Sequence, residues 1–475
     1  MGPATAAPGF SGLCLRLSAN RDRTEYMTTI TDATATALTT GQLAELHKSF
    51  AADPVLKRTQ NAIARVSVDD IAIDHQLATA LSSTVSNRID DWKVTNQKKS
   101  GRCWLFAALN LLRAGAKEVL DVKEFEFSQN YAMYFDKLER ANYFLESILE
   151  TAERTEDDRL VSYLLQSVMG DGGQWDMAVN IFTKYGAVPK SAMPETESSS
   201  NTGRMNSVLC LLLRRGAQEL RLLRETGDAA GEEHARERII KEVHRILTVH
   251  LGTPPTQFEW EYTDDKKAFH REGVLTPQQF LAKYTTIALK DYVCLVDDPR
   301  AEHPKGSTLT VEHLGNVVGA APVLYLNVDI NLAKRLAKEA IVDGEPVWFG
   351  CDVGPQMVRK DGIWDARLYD YAGLYGAELS MDKETRVRFG ESAMTHAMLL
   401  TGVDVLDGET RRWRVENSWG EENGEQGFYT MADNWFDEYV FEVVVNKARL
   451  SPELRRALEA EPTVLPAWDP MGALA

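Results

Sequence analysis

Residues 96–120 read NQKKSGRCWLFAALNLLRAGAKEVL, and this stretch decides the fold. Apolar side chains recur at helical spacing from Trp104 onward, so we predict a long helix that buries one face. Ser100 is a candidate N-cap for this helix, and Gly101 lies in the turn before it. Cys103 then falls in the first turn, where unpaired N–H groups and the positive end of the helix dipole favour a thiolate. Cys103 is therefore a candidate nucleophile.

A cysteine nucleophile needs a base that accepts its proton and a third group that orients the base. His396 starts a predicted strand in HAMLLTGVDV, and Asn417 follows another in VENSWG. Gln97 lies shortly before Cys103, and its amide and the Cys103 N–H can form a pair of donors for a developing oxyanion. Taken singly, each residue has an ordinary structural explanation, such as a buried thiol or a turn asparagine. The catalytic hypothesis depends on their occurring together.

Helical and strand patterns are segregated along the chain. Residues 126–150 and 205–250 carry apolar side chains at helical spacing. From about residue 323 the segments VLYLNVDI, PVWFGCDV, AMLLTGVDV, RRWRVENSW and EYVFEVVVNKA are β-branched and aromatic, with turn signals between them. Helices followed by strands indicate an α+β protein with a helical half and a strand-rich half.

The chain is acidic, because its 475 residues carry 70 Asp and Glu against 53 Lys and Arg, a formal charge of −17. Such a surface repels phosphate backbones and anionic lipid over most of its area. No apolar run approaches the roughly 18 residues that cross a bilayer. We therefore expect neither a nucleic-acid partner nor a membrane partner.

The cysteines and the N-terminus favour a reducing compartment. The five scattered cysteines form no CxxC pair, and no HExxH or Cys/His cluster has metal-site spacing, so we expect no metal and no cofactor. Residues 1–26 lack the pattern of a secretory signal, and we expect a cytoplasmic protein. The same residues have no clear period, so we predict a disordered extension, with translation beginning at Met27.

Five segments together resemble one known family. The motifs QKKSGRCW, THA and NSWG are similar, in this order, to the papain superfamily of cysteine peptidases. The segments NQKKSGRCWLF, DKLERANYF, DGGQWDM, MTHAMLLTG and VENSWG narrow the resemblance to the bleomycin hydrolase and aminopeptidase C family, from about residue 40 to the last residue. The resemblance implies a cysteine aminopeptidase that releases N-terminal residues from peptides through an acyl-enzyme and also accepts bleomycin-like amides.

The resemblance assigns a role to each residue of the catalytic set. Cys103 is the nucleophile, His396 the general base and later acid, and Asn417 the group that orients the imidazole. Gln97 helps to bind the oxyanion, and Trp419 shields the bond between His396 and Asn417 from solvent. The resemblance also implies a thiolate–imidazolium pair in the resting enzyme.

The same resemblance implies a groove and an arm that limits access to it. Gly172 and Gly173 line the substrate groove, where a residue without Cβ lets a peptide backbone approach. The tail, residues 462–475, reads PTVLPAWDPMGALA, whose prolines favour an extended path. It is expected to lie in the cleft, where the carboxylate of Ala475 binds the free α-ammonium of the substrate.

The distance along the chain between nucleophile and base indicates an insertion. In papain-like enzymes the His follows the Cys by about 130–150 positions, whereas here His396 follows Cys103 by about 290. The resemblance implies that such an insertion builds a homohexamer. We predict a papain-like α+β fold with these parts: extension 1–26, N-terminal helical arm 27–65, helical half with the nucleophile 66–194, mainly helical insertion for oligomerisation 195–322, β half with His396 and Asn417 323–461, and C-terminal arm 462–475.

Two other functions remain open at this stage. A papain-like endopeptidase, with the tail released from the cleft, would cut peptides internally. A binding scaffold that kept the fold without catalysis is disfavoured by the intact set of Gln97, Cys103, His396 and Asn417.

Overall fold

The computed structural model describes residues 37–89 and 92–473. The predictions for residues 1–26, for a start at Met27 and for Ala475 lie outside these described residues. The described chain divides into a small unit, which holds residues 37–71 with 373–376, and a large unit that holds the rest. No helix of the described chain is long and apolar enough to cross a bilayer.

The small unit contains a helix pair, α1 (Thr40–Ala52) and α2 (Pro54–Ile63). Thr39 caps α1 through a capping box with Gln42. The Asp53 carboxylate accepts hydrogen bonds from the first-turn N–H groups of α2, and a proline occupies the first helical position. Each boundary is therefore set by local sequence.

Helices dominate the first half of the large unit, where capping side chains such as Ser128, Asp158 and Asp228 begin them. The remaining helices of the described chain are α3 (Val68–Ala72), α4 (His75–Ala80), α5 (Cys103–Val119), α6 (Gln129–Glu150), α7 (Arg159–Gln166), α8 (Trp175–Tyr185), α9 (Glu197–Ser200), α10 (Gly203–Thr226), α11 (Ala229–Leu251), α12 (Pro277–Tyr284), α13 (Ile330–Val342), α14 (Tyr371–Tyr375), α15 (Lys383–Phe389), α16 (Asp433–Tyr439) and α17 (Pro452–Ala457).

A mixed sheet forms the second half, with the order β14-β5-β6-β4-β13-β7-β10-β11-β12-β9-β8 and β1 paired to β10. A separate hairpin joins β2 to β3. The strands of the described chain are β1 (Asn87–Arg88), β2 (Phe258–Thr263), β3 (Phe269–Leu275), β4 (Tyr292–Val296), β5 (Thr308–Val311), β6 (Tyr325–Asn327), β7 (Val347–Cys351), β8 (Met357–Val358), β9 (Ile363–Trp364), β10 (His396–Leu406), β11 (Glu409–Glu416), β12 (Phe428–Ala432), β13 (Val440–Asn446) and β14 (Thr463–Leu465).

The predicted α+β class is confirmed, but the sheet begins earlier in the chain than the sequence pattern indicates. The stretch 195–322 holds the long helices α10 and α11, as expected, and also the β2–β3 hairpin and strands β4 and β5. Strands β4 and β5 are short and almost entirely buried, so they lack the alternation that identifies a strand. The change from helices to strands therefore precedes residue 323.

The sheet separates two apolar cores, and this layering places the nucleophile helix. On β7, Trp348 packs into the core around α5, whereas Val347 and Phe349 pack into the core on the opposite face with α13 and α16. The Trp348 indole N–H also donates to the backbone oxygen of Trp104 at 3.2 Å. Helix α5 is thereby held against β7, which pairs with β10, the strand that begins at His396.

A buried ion pair joins α5 to the end of β11. The Arg113 guanidinium lies 2.8 Å from the Glu416 carboxylate, and both side chains are almost fully buried. Asn110, one turn earlier on α5, donates to the same carboxylate at 2.7 Å and to the Thr95 hydroxyl at 3.0 Å. Because Glu416 directly precedes Asn417, this contact sets the position of α5 relative to that residue.

Removing the charge of Glu416 should destabilise the protein strongly. Glu416→Gln leaves the buried Arg113 guanidinium without a compensating charge, which costs about 3–5 kcal/mol. We expect a loss of this size in the free energy of unfolding, measured by urea denaturation. Glu453→Gln is the matched control, since Glu453 is 71% exposed opposite Arg456 and its replacement should leave the free energy of unfolding almost unchanged. Equal losses in both variants would contradict a structural role for the buried pair.

Candidate active site

Cys103 is the first residue of α5, and hydrogen bonds among Gln97, Ser100 and Arg102 hold the turn before it. Arg102 is the N-cap, and no side chain caps the helix. The predicted N-cap, Ser100, is wrong: its hydroxyl donates to the Gln97 backbone oxygen at 2.6 Å and accepts from Arg102 Nε at 2.9 Å. The hydroxyl is thus used within the turn, and the N–H groups at the start of α5 are left facing the site.

Three backbone N–H groups act on the sulfur of Cys103. Those of Ala397, Trp104 and Cys103 itself lower its pKa. Burial has the larger and opposite effect and raises the pKa of Cys103 to about 11. Since Ala397 directly follows His396 on β10, the fold brings the predicted nucleophile to the segment that carries the predicted base.

His396 and Asn417 are hydrogen-bonded, with 3.0 Å between Nε2 and Oδ1. The same Oδ1 accepts the Ser418 N–H at 2.7 Å, so it can only be an acceptor. The ring nitrogen Nε2 therefore carries a hydrogen, and Nδ1 is left to take a proton from sulfur. The Trp419 ring lies over the imidazole, with 4.8 Å between ring centroids.

Burial opposes a charge on His396 as it does on Cys103. It lowers the pKa of His396 to about 4; the bond to Asn417 raises this pKa, and the positive charge of Arg359 lowers it further. Each group taken alone is therefore neutral near pH 7. The thiolate–imidazolium pair that the family resemblance implies requires both charges to form together, by transfer of one proton from sulfur to the ring.

Gln97 is held between the nucleophile turn and the segment that follows β11. Its Oε1 accepts the Ser418 hydroxyl at 2.6 Å, and its Nε2 donates to the Ser100 backbone oxygen at 2.5 Å. A primary amide has two hydrogens, so one remains for a further acceptor. The oxyanion role of Gln97 stays a prediction.

Gly173 packs against the nucleophile helix. A Cβ at this position would lie 2.5 Å from the Trp104 indole, so the close contact itself requires glycine. The backbone oxygen of Gly172 accepts from Arg140 at 2.9 Å. That these two glycines line the substrate groove stays a prediction.

Asp171 is a supporting residue that the sequence analysis missed. Its backbone oxygen accepts the Trp104 indole N–H at 2.7 Å, and its carboxylate accepts the Gly101 N–H at 3.1 Å. Although burial acts to raise it, the ion pair with Lys137 and the hydroxyl of Thr202 hold the pKa of Asp171 well below its ordinary value. The DGGQW segment drew attention to its glycines, but no spacing pairs its aspartate with a lysine on α6.

Arg102 and Glu195 form a second support that the sequence did not reveal. The Arg102 side chain is fully buried, and its two terminal nitrogens lie 3.0 and 2.8 Å from the two oxygens of Glu195. A two-bond contact of this kind fixes both partners in orientation. Arg102, the residue before the nucleophile, is thereby held by the segment that precedes α9.

The C-terminal arm is anchored along its described length. Strand β14 pairs with β5, and Asp469 binds Arg300 through contacts of 2.9 and 2.7 Å. Tyr325 donates to the Met471 backbone oxygen at 3.1 Å, and Gln174 Nε2 donates to that of Ala473 at 2.7 Å. Since Gln174 directly follows Gly173, the last described residue lies beside the loop that packs on Trp104.

Comparisons with known proteins identify the family and the fold. The model of the Peptidase C1-like family matches residues 37–472. Aminopeptidase C of Listeria monocytogenes is 44% identical over 418 residues, which cover 88% of this chain and 91% of the relative. Bleomycin hydrolase of Homo sapiens is 41% identical over 452 residues, with 93% and 99% covered. The crystal structure of PepW from Lactobacillus rhamnosis is similar with a TM-score of 0.91 and 44% identity, covering 93% of this chain and all of that one. The predicted family resemblance and papain-like fold class are confirmed.

Loss of the Asn417 side chain should slow alkylation of Cys103. Because the bond to Asn417 raises the pKa of His396, Asn417→Ala lowers that pKa and makes proton transfer from sulfur less favourable. A hydrogen bond worth about 0.5–1.5 kcal/mol predicts a rate lower by about 2- to 10-fold near pH 7. The measurement is iodoacetamide labelling of Cys103, followed by peptide mass spectrometry across pH.

Asn331→Ala is the control for this experiment. Asn331 is exposed in the first turn of α13. Within the described chain, its side chain hydrogen-bonds only to Asp329. Its removal should leave the labelling rate unchanged. An undiminished rate in Asn417→Ala would mean that Asn417 does not support the proton on His396.

Proposed function

The chain belongs to the Peptidase C1-like family, and we infer that it is a cysteine aminopeptidase acting through an acyl-enzyme on Cys103. The single observation that carries this proposal is the placement of the Cys103 sulfur, at the N-terminus of α5, against the Ala397 N–H that follows the hydrogen-bonded pair of His396 and Asn417. Relatives named Aminopeptidase C and Bleomycin hydrolase, at 41–44% identity over most of their length, support it.

In the proposed mechanism, sulfur loses its proton to Nδ1 of His396 as it attacks the carbonyl carbon of the first peptide bond. The oxyanion takes hydrogen bonds from the Cys103 N–H and the free hydrogen of the Gln97 amide. The imidazolium then gives its proton to the leaving nitrogen, the C–N bond breaks, and a thioester remains on Cys103. Water, activated by the neutral His396, attacks the thioester and releases the amino acid.

Asn417 and Trp419 keep His396 ready for both proton transfers. The bond from Nε2 to Asn417 fixes the tautomer in which Nδ1 faces the sulfur. The Trp419 ring, 4.8 Å from the imidazole, excludes water from that bond. An imidazole fixed in this way needs no reorientation between accepting and donating the proton.

The C-terminal arm gives the enzyme its exopeptidase character. Gln174 holds the Ala473 backbone oxygen at 2.7 Å, beside the loop of Gly172 and Gly173. Two residues follow Ala473 in the sequence, a length that reaches at most about 7 Å. The terminal carboxylate of Ala475 then meets the substrate α-ammonium in a charge-assisted hydrogen bond. Longer N-terminal extensions are excluded, because the arm occupies their place.

Two further properties are proposed for this chain: its acceptance of bleomycin-like amides and its assembly. Bleomycin-like amides are proposed substrates, because they present the same type of bond to the nucleophile and one relative is named Bleomycin hydrolase. A homohexamer in the cytoplasm is the proposed assembly. Leu211 on α10 and Val249 on α11 are 72% and 78% exposed, and they would contribute to a subunit interface if these helices meet those of another copy.

Replacement of the nucleophile should abolish hydrolysis without disturbing the assembly. Cys103→Ala removes the group that forms the acyl-enzyme, so release of the N-terminal residue should fall to background. Hydrolysis of an aminoacyl coumarylamide measures the activity, and sedimentation velocity measures the assembly. Appreciable turnover by a variant free of contaminating peptidase would rule out Cys103 as the nucleophile.

Deletion of Ala475 should move the cut inward. Without this residue the carboxylate lies one position further back, so the variant should release dipeptides alongside, or in place of, single amino acids. Mass spectrometry of a decapeptide digest follows the products over time. Unchanged single-residue trimming would refute the role of the arm, and internal fragments from the unaltered enzyme would instead favour an endopeptidase.

A further inference from the structure

Arg359 lies at the edge of the site without an assigned role. It follows β8, is exposed, and its guanidinium carbon lies 4.2 Å from the centroid of the Trp419 ring. Trp419 in turn lies 4.8 Å from the His396 ring. Within residues 37–89 and 92–473, no carboxylate forms an ion pair with Arg359, although the chain has a net charge of −17.

The proton transfer from His396 determines which part of the substrate lies near Arg359. His396 must donate to the leaving nitrogen, so the leaving fragment begins within hydrogen-bonding distance of the imidazole. The other side of the bond is held by the acyl group on Cys103, toward the arm and Gln174. Trp419 covers the imidazole, and Arg359 covers Trp419. The leaving fragment therefore extends toward Arg359.

The distance from His396 to Arg359 matches the length of a leaving fragment of one amino acid. The two ring separations limit the distance from the imidazole centroid to the guanidinium carbon to about 9 Å. One amino acid, bound through its nitrogen at one end and its carboxylate at the other, spans about 9 Å including both hydrogen bonds. The C-terminal carboxylate of a dipeptide can thus reach Arg359 while its nitrogen faces His396.

The chemistry of a stacked guanidinium suits a carboxylate. The contact of 4.2 Å with the Trp419 ring restricts the motion of the guanidinium, and a guanidinium in such a contact keeps N–H donors along its edge for a ligand. Such a pre-organised fork binds a carboxylate in two parallel hydrogen bonds.

We propose that Arg359 is a specificity-determining residue that binds a carboxylate on the leaving fragment, so that the enzyme favours dipeptides and other peptides with a carboxylate next to the scissile bond. The inference rests on the proposed aminopeptidase function. Two sources share the required chemistry: the C-terminal carboxylate of a dipeptide, and an Asp or Glu side chain at the second position of a longer peptide.

Matched substrate pairs test the proposal. Ala-Ala against Ala-Ala-amide reports the C-terminal carboxylate, and Ala-Glu-amide against Ala-Gln-amide reports the side chain. The unaltered enzyme should prefer the carboxylate member of at least one pair, mainly through a lower KM. Arg359→Gln should reduce that preference by about ten-fold, and Arg359→Lys should retain part of it.

Two controls make the result decisive. Lys360→Gln removes the neighbouring exposed charge and should leave both preferences unchanged. Because Arg359 also lowers the pKa of His396, each variant is measured at its own pH optimum. An unchanged preference in Arg359→Gln for both pairs overturns the proposal, whereas failure of the unaltered enzyme to release the N-terminal residue from any of the four substrates overturns the aminopeptidase function itself.

Discussion

The buried contact between Arg113 and Glu416 is the constraint on which the site depends. It joins the helix that begins at Cys103 to the strand that ends just before Asn417, across about 300 positions of sequence. A charge pair removed from water is tolerated only when geometry and additional hydrogen bonds compensate both charges, and Asn110 supplies one of these bonds. The contact therefore allows little movement of α5 relative to β11. Because the start of α5 and the end of β11 are fixed in this way, the Cys103 sulfur and the His396 imidazole can take few relative positions.

The burial that secures this geometry also sets the electrostatics of the site. It disfavours the thiolate of Cys103 and the imidazolium of His396 separately, and so couples the two charges into one proton transfer. Neighbouring groups then change the pKa of His396: the hydrogen bond to Asn417 raises it, and the positive charge of Arg359 lowers it. The two charges of the site are therefore disfavoured singly and can form only together, by transfer of one proton from the sulfur to the ring.

The parts that the sequence predicted are those encoded locally. Cys103 in a first turn and His396 at the start of a strand follow from short patterns, and the resemblance to a known family assigned a role to each residue of the catalytic set. The missed parts, such as Asp171 with Lys137 or Arg102 with Glu195, depend on partners from distant segments. A buried salt bridge has no periodicity, so only the folded chain reveals it. Ser100 was misplaced for a related reason, since its hydroxyl had a competing partner within the same turn.

The two proposed charge contacts would give the ends of the cleft opposite electrostatic preferences. In this proposal a carboxylate at the end of the arm attracts the ammonium of a peptide, and Arg359 over Trp419 attracts a carboxylate on the leaving side. The net charge of −17 repels anionic peptides at long range, but at physiological salt that repulsion is screened beyond about 8 Å. Within the cleft the nearest charges dominate. In that arrangement a zwitterion such as a dipeptide offers an ammonium to one end and a carboxylate to the other. Selectivity for short peptides would then follow from these two charges and would not require a side-chain pocket.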